Sequence, residues 1–376
     1  MTWAEWVAGE CDSIAAAGRW RATRDLDAAG PAGLLFDEDG RARSVVSFAS
    51  NDYLGLSQHP AVVAAAHDAL ARWGAGAGAA RLIVGSRPVH SELEGELAAW
   101  KSAERALVFP TGFAANLGVL STFGGPGVLV CSDELNHASI IDGCRLGRSD
   151  VVVYPHRDLA TLERTLSATR AARAVVVTDT VFSMDGDMAP VDGLLEICAR
   201  HRALLVVDEA HAVLGPDLPP AENVAVLRVG TLSKTLGSLG GFVAGARSFI
   251  ELLVNRARPF IFTTALSPAD AAAALAALRV VRSAEGDYLR ALLRTHVARV
   301  APGHPSPIVP IVLGDERRAL AASAALLEAG LLVPAIRPPT VAPGTSRLRI
   351  ALSAAHTEDQ IGLLVEALAK VVGVAD

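Results

Sequence analysis

From residue 106 onward, short apolar runs recur with polar, helix-compatible stretches between them. The runs cover 106–109, 128–131, 151–154, 174–178, 204–207, 224–229 and 242–244. They are rich in Val and Leu and do not alternate with polar residues. Strands buried on both faces of a mainly parallel sheet read this way. Helical stretches at 112–124, 138–147, 158–170 and 191–201 lie between them. Alternating strands and helices predict an α/β fold with a large doubly wound sheet, whose ligand site sits at the carboxyl ends of the strands.

Before this region the pattern predicts an amphipathic helix over 3–20, a strand over 45–48 and a polar loop over 50–56. His59-Pro60 signals the start of a helix over 60–73, and a small-residue loop (74–81) and a helix over 89–101 follow. After Pro259 the chain turns Ala/Leu/Arg-rich and reads as almost wholly helical over 268–300. Strands at 308–313 and 348–352 then bracket a helix at 316–329, and a last helix spans 357–371. The expected division is an N-terminal segment (1–48), a large α/β domain (49–265) and a smaller C-terminal α+β domain (266–376).

Composition narrows the class. The chain has 376 residues, 51% of them hydrophobic, enough for a sizeable core. The net charge of −6 and the absence of a basic block argue against nucleic acid as a partner. Neither a signal-peptide pattern nor an 18-residue apolar stretch occurs, so no membrane association is expected. Cys11, Cys131, Cys144 and Cys198 are scattered without a CxxC pair. That predicts no disulfide framework, no metal site and a cytoplasmic location.

Candidate chemistry collects where the strands end. After 106–109, Gly112 sits at a strand-to-helix junction, where free backbone N–H groups suit a phosphate. After 128–131, His137 opens a helix and could lie over a planar ligand. After 174–178 hydroxyls and carboxylates crowd the turn containing Ser183. Asp208 closes the run 204–207, where a buried acid is costly unless paired, and His211 follows three residues later. Asp208 calls for a protonated ring nitrogen or a structural Arg. Lys234 lies between Ser233 and Thr235, just after 224–229; desolvation there favours a neutral, nucleophilic amine. Singly, each also reads as an ordinary turn, solvated histidine or loop lysine. Together they match pyridoxal phosphate: a lysine for its aldehyde, an acid for its pyridine nitrogen, a histidine on its ring, hydroxyls and N–H groups for its phosphate.

Six stretches carry a resemblance: Asn51-Asp52-Tyr53-Leu54-Gly55, Thr111 to Asn116, Asn136-His137-Ala138-Ser139, Val181 to Asp187, Asp208-Glu209-Ala210-His211 and Thr231-Leu232-Ser233-Lys234. In order and over nearly the whole chain, they resemble the α-oxoamine synthases, fold-type I pyridoxal-phosphate enzymes that condense an amino acid with an acyl thioester and release CO₂. The resemblance implies pyridoxal 5'-phosphate as cofactor and a homodimer with shared active sites. It makes Lys234 the covalent anchor and later the base. Asp208 pairs with the pyridine nitrogen, His211 hydrogen-bonds the ring hydroxyl and His137 stacks on the ring. Gly112 and Phe113 supply N–H groups, and Ser183, Thr231 and Ser233 hydroxyls. Thr263 comes from the neighbouring subunit. Arg349 clamps the amino-acid carboxylate, with Asn51 and Arg21 near the substrate. The stretch 335–349, with its Ile-Arg-Pro-Pro-Thr-Val core, is similar to the family members that join L-alanine to a pimeloyl thioester carried on coenzyme A or acyl carrier protein. Glycine with acetyl-CoA is the alternative within the family, and a non-catalytic binding subunit the one outside it. Two departures stand out: the Gly/Arg-rich segment after Asp208-Glu209-Ala210-His211 is cut to 212–220, and Gly78-Ala79-Ala80 replaces a hydroxyl-bearing loop.

Overall fold

The apolar runs become the main sheet of the molecule, one of three sheets among the described residues. The structure is a computed structural model describing residues 1–219 and 223–373; Pro220, the end of the shortened segment, lies outside them. An N-terminal ribbon comes first, from β1 (Leu26–Ala28), β2 (Ala32–Phe36) and β3 (Ala42–Ser47). The main sheet follows, from β4 (Arg105–Phe109), β5 (Val128–Asp133), β6 (Asp150–Tyr154), β7 (Arg173–Asp179), β8 (Leu204–Asp208), β9 (Val226–Thr231) and β10 (Gly241–Gly245). The C-terminal part adds β11 (Ile308–Gly314), β12 (Leu331–Leu332), β13 (Ala335–Ile336) and β14 (Ser346–Ala351).

Among the described residues the main sheet has seven strands in the order β4-β10-β9-β8-β7-β5-β6. Only β10 runs antiparallel to its neighbours. Every residue of β5, β8 and β10 is buried. Such a strand forms because each Val or Leu taken out of water contributes about 1.5–3 kcal/mol while the ladder satisfies the backbone. Register places Asp179 of β7 directly beside Asp208 of β8.

The helices expected at 60–73 and 89–101 appear as Pro60–Trp73 and Pro88–Trp100. Four differences have local causes. The first helix stops at Ala16 rather than residue 20, because Gly18 takes a left-handed φ of +65°; it buries no residue. The helix expected over 268–300 is broken at Arg282–Ser283, where Ser283 caps the second half. β1 and β2 were not expected, being short and interrupted by Gly30-Pro31. β9 starts at Val226 and reaches Thr231, two residues beyond the apolar run.

Long-range pairing ties the ends together. β3 pairs in parallel with β12, and Ala351 N donates to Phe48 O. This pairing brings the loop after Phe48 against β14, which carries Arg349.

Candidate active site

The carboxyl edge of the main sheet delivers its side chains into one cavity of about 220 Å³. Gly112, Phe113, His137, Ser183, Asp208, His211, Thr231, Ser233 and Lys234, all expected from sequence, line it. Asn116, Ser139 and Asp179 line it too, and were given no role on sequence grounds. Asn51 and Arg349 lie behind it, reached through hydrogen bonds. Arg21 and Thr263 are exposed on the single chain and are not among its lining residues.

β8 is apolar from Leu204 to Val207 and turns polar only at its last residue, Asp208. Its hydrogen-bond partners are neutral: Asn116 Nδ2 donates to Oδ2 at 2.7 Å, and Ala210 N to Oδ1 at 2.9 Å. These donors orient the carboxylate without supplying a counter-charge. Asn116 Nδ2 also donates to Ser139 Oγ, which lies 2.8 Å from His137 Nδ1. One amide thus holds both the acid and the histidine. Burial of the His137 ring lowers its pKa against the pull of Asp208, leaving a neutral ring able to stack. Asp179 accepts from His137 N at 2.9 Å; burial, with Asp208 alongside, raises its pKa well above the usual carboxylate range.

Lys234 sits on the tight connection between β9 and β10. Leu232 N donates to Gly240 O, and Gly237 N to Lys234 O. Gly237 has φ +58°, and a Cβ there would come within 2.3 Å of Ser57 N, so only glycine lets the turn press on that loop. Lys234 Nζ lies 2.7 Å from His211 Nε2. Burial lowers the lysine pKa, opposed by Asp208 and Asp179. His211 Nδ1 lies 2.6 Å from the Tyr53 hydroxyl, which donates to Asn51 Oδ1 at 3.0 Å. Arg349 Nη2 donates to the same oxygen at 3.1 Å, and Nε to Ser183 O at 2.6 Å. Arg349 is only 6% exposed, so it is not a surface arginine at the end of its strand. Tyr53 is fully buried. The one sequence signal for it was its place in the stretch 51–55.

Pyridoxal phosphate fits this donor set. The Gly112 and Phe113 N–H groups open the helix Gly112–Phe123 and have no acceptor within it. The Thr231 and Ser233 hydroxyls lie 2.7 Å apart beside them. Together they suit an anion, while Asp208 suits a protonated ring nitrogen and Lys234 an aldehyde. The ligand types of a metal centre are not grouped: no cluster of three His, Cys, Asp or Glu side chains occurs among the described residues.

A second cavity of about 390 Å³ adjoins the first, sharing Ala210, Gly230 and Thr231. Its wall holds Glu209, paired with Lys101 at 2.7 Å and Arg228 at 2.6 Å. Glu209 is fully engaged by these two cations, and the groups that suit an aldehyde, a ring nitrogen and a phosphate line the smaller cavity.

Comparison with known proteins gives the family and the fold. Residues 43–368 match the model of aminotransferase class I and II. The 8-amino-7-oxononanoate synthase of Anaeromyxobacter dehalogenans strain 2CP-1 is 52% identical over 98% of this chain and 95% of its own. A lysine-to-alanine variant of serine palmitoyltransferase from S. paucimobilis, solved with a bound pyridoxal phosphate–myriocin adduct, superposes with a TM-score of 0.89 at 30% identity, covering 98% of both chains. The 8-amino-7-oxononanoate synthase of Francisella tularensis superposes with a TM-score of 0.73 at 27% identity, over 88% of this chain and 98% of that one.

Proposed function

The chain belongs to the aminotransferase class I and II family, and from that premise we propose that it condenses L-alanine with a pimeloyl thioester. The products are 8-amino-7-oxononanoate, CO₂ and the free thiol of coenzyme A or acyl carrier protein. It is a fold-type I transferase dependent on pyridoxal 5'-phosphate, and its named relatives are 8-amino-7-oxononanoate synthases, enzymes of biotin biosynthesis.

The observation that carries the substrate reading is the buried Arg349, held by Asn51 and Ser183 close enough to Lys234 to depress its pKa. A planar guanidinium there offers a two-pronged grip for an amino-acid carboxylate. When bound, the cofactor supplies an aldehyde for the Lys234 amine and a ring that draws electrons from the substrate α-carbon. Asp208 would face the ring nitrogen and favour its protonation, and the neutral His137 would cover the ring. Ser183, Thr231, Ser233 and the N–H groups of Gly112 and Phe113 hold the oxygens of cofactor and phosphate. Lys234 Nζ, already desolvated, takes the α-proton and later returns one. His211 would hydrogen-bond the ring hydroxyl through its Nε2 face.

The reading includes a cytoplasmic homodimer in which the neighbouring subunit lends Thr263. The exposed large apolar side chains Leu82, Ile83, Val84 and Phe262 support it. No helix among the described residues is long and apolar enough to cross a membrane. The three-part division at residues 48 and 265 and a supporting place for Arg21 near the substrate belong to the same proposal.

The test is a product assay with loaded enzyme. L-alanine with pimeloyl-coenzyme A is expected to release thiol and yield 8-amino-7-oxononanoate by mass spectrometry, with the acyl-carrier-protein thioester run in parallel. Turnover only with glycine and acetyl-coenzyme A would replace this substrate pair with the other. No turnover with either pair would leave a binding subunit.

A further inference from the structure

The buried path from Lys234 to Arg349 has its hydrogens fixed by chemistry. A guanidinium has no acceptor and stays protonated, so the Asn51 atom 3.1 Å from Arg349 Nη2 is the amide oxygen. That oxygen cannot donate, so the Tyr53 hydroxyl 3.0 Å away donates to it. A phenol has one hydrogen, and burial pushes the Tyr53 pKa well up, so the hydrogen stays. The Tyr53 oxygen is then left to accept from His211 Nδ1 at 2.6 Å. His211, neutral because burial and the nearby Lys234 lower its pKa, carries its one proton on Nδ1. Its Nε2 lone pair therefore faces Lys234 Nζ at 2.7 Å.

We propose that Tyr53 is a positioning residue for Lys234: its single hydroxyl hydrogen, committed to Asn51, selects the His211 tautomer that meets the lysine with an acceptor. The proposal rests on the reading of Lys234 as the reactive amine. The hydrogen bonds run in one direction, from lysine to histidine to tyrosine to asparagine, and Arg349 closes the path from the other end. The side chain that grips a carboxylate and the side chain that moves a proton are thereby joined through groups with one consistent polarity. A tyrosine placed merely to fill space would need no such polarity, and a phenylalanine would fill the same volume.

The test uses full-length, cofactor-free protein labelled with ¹⁵N-histidine, with His211 resonances identified by their loss in His211→Asn. At neutral pH the unaltered protein is expected to show a protonated Nδ1 and an unprotonated Nε2. In Tyr53→Phe the Nδ1 hydrogen loses its acceptor, and the single tautomer gives way to a mixture. The ammonium of Lys234 loses part of its hydrogen-bond support. Its titration, followed by reductive methylation against pH and peptide mass mapping, falls by about 0.5–1 unit, the worth of one hydrogen bond. Should Tyr53→Phe fail to fold, Asn51→Leu tests the same path from the other end: the freed hydroxyl hydrogen turns to Nδ1, Nε2 takes the proton, and Lys234 again titrates lower. A protonated Nε2 in the unaltered protein overturns the proposal, as does a Tyr53→Phe protein with unchanged nitrogen shifts and lysine titration. Both readouts are taken without cofactor, so they fail separately from the lysine assignment, which cofactor anchoring in Lys234→Ala tests.

Discussion

Asp208 and Glu209 are adjacent in the chain, both buried at the end of β8, and they face different cavities. Glu209 meets Lys101 and Arg228 at 2.7 and 2.6 Å. Burial alone would raise its pKa, but the two cations outweigh it and hold the carboxyl below the usual range. Asp208 meets an amide and a backbone N–H. The first acid is consumed by the fold. The second is oriented by neutral donors and has no cation among its hydrogen-bond partners. The same contrast separates the lysines: Lys101 is paired with a carboxylate, whereas Lys234 rests on a neutral histidine. Burial alone does not mark a functional group here; what marks it is an ionisable group whose hydrogen-bond partners are all neutral.

Four experiments break or sharpen that contrast. Lys234→Ala has the largest expected effect: turnover falls by about 10²–10⁴-fold through loss of the base alone, and further through loss of the anchor. Borohydride reduction of the loaded protein, read by peptide mass, should mark Lys234 in the unaltered chain and nothing in the variant. A reducible adduct in the variant would move the anchor elsewhere. Asp208→Asn should cost about 10²–10³ in kcat, the scale for removing one preorganised electrostatic group, with a stability change of at most about 1–2 kcal/mol because neutral donors surround it. Glu209→Gln should show the reverse. Lys101 and Arg228 are left buried without their counter-charge, costing about 3–5 kcal/mol in urea unfolding, while the kcat of the folded fraction changes less than in Asp208→Asn. Equal stability losses in both variants would erase the distinction.

The smallest effect concerns His156, which bridges Asp133 and Asp187 at 2.9 Å each. Burial opposes its charge, but the two carboxylates win and raise its pKa above 6.5. The stabilisation is fully present below that value and is lost as pH rises through the folded-state pKa. Melting temperature should step down over that interval, and the step should vanish in His156→Gln.

Much of the main sheet was legible because its strands are buried on both faces and cannot tolerate polar residues before their ends. That property marked Asp208 and placed Lys234 after β9. β1 and β2 escaped notice because each is short and half-exposed, and their pairing partners lie outside any local window. β12 pairs with β3 from nearly 300 residues away, and two residues of Leu carry no periodicity. In the site, Asn116 and Tyr53 stood inside recognisable stretches without a role, since what each does depends on a partner about 90 to 160 residues distant.

The sequence by itself determined which residue types reach the carboxyl edge of the sheet, because strand ends follow from where apolar runs stop. It also marked the lysine, the acid and the histidines by their spacing after those ends. Only the tertiary structure decided what each group can do there. Asn116 orients Asp208 without adding a counter-charge, Lys101 and Arg228 silence Glu209, and Tyr53 turns the acceptor of His211 toward Lys234. Charge state and proton position depend on burial and on hydrogen-bond partners a few ångströms away. Those partners are brought together by folding from segments the linear order keeps apart.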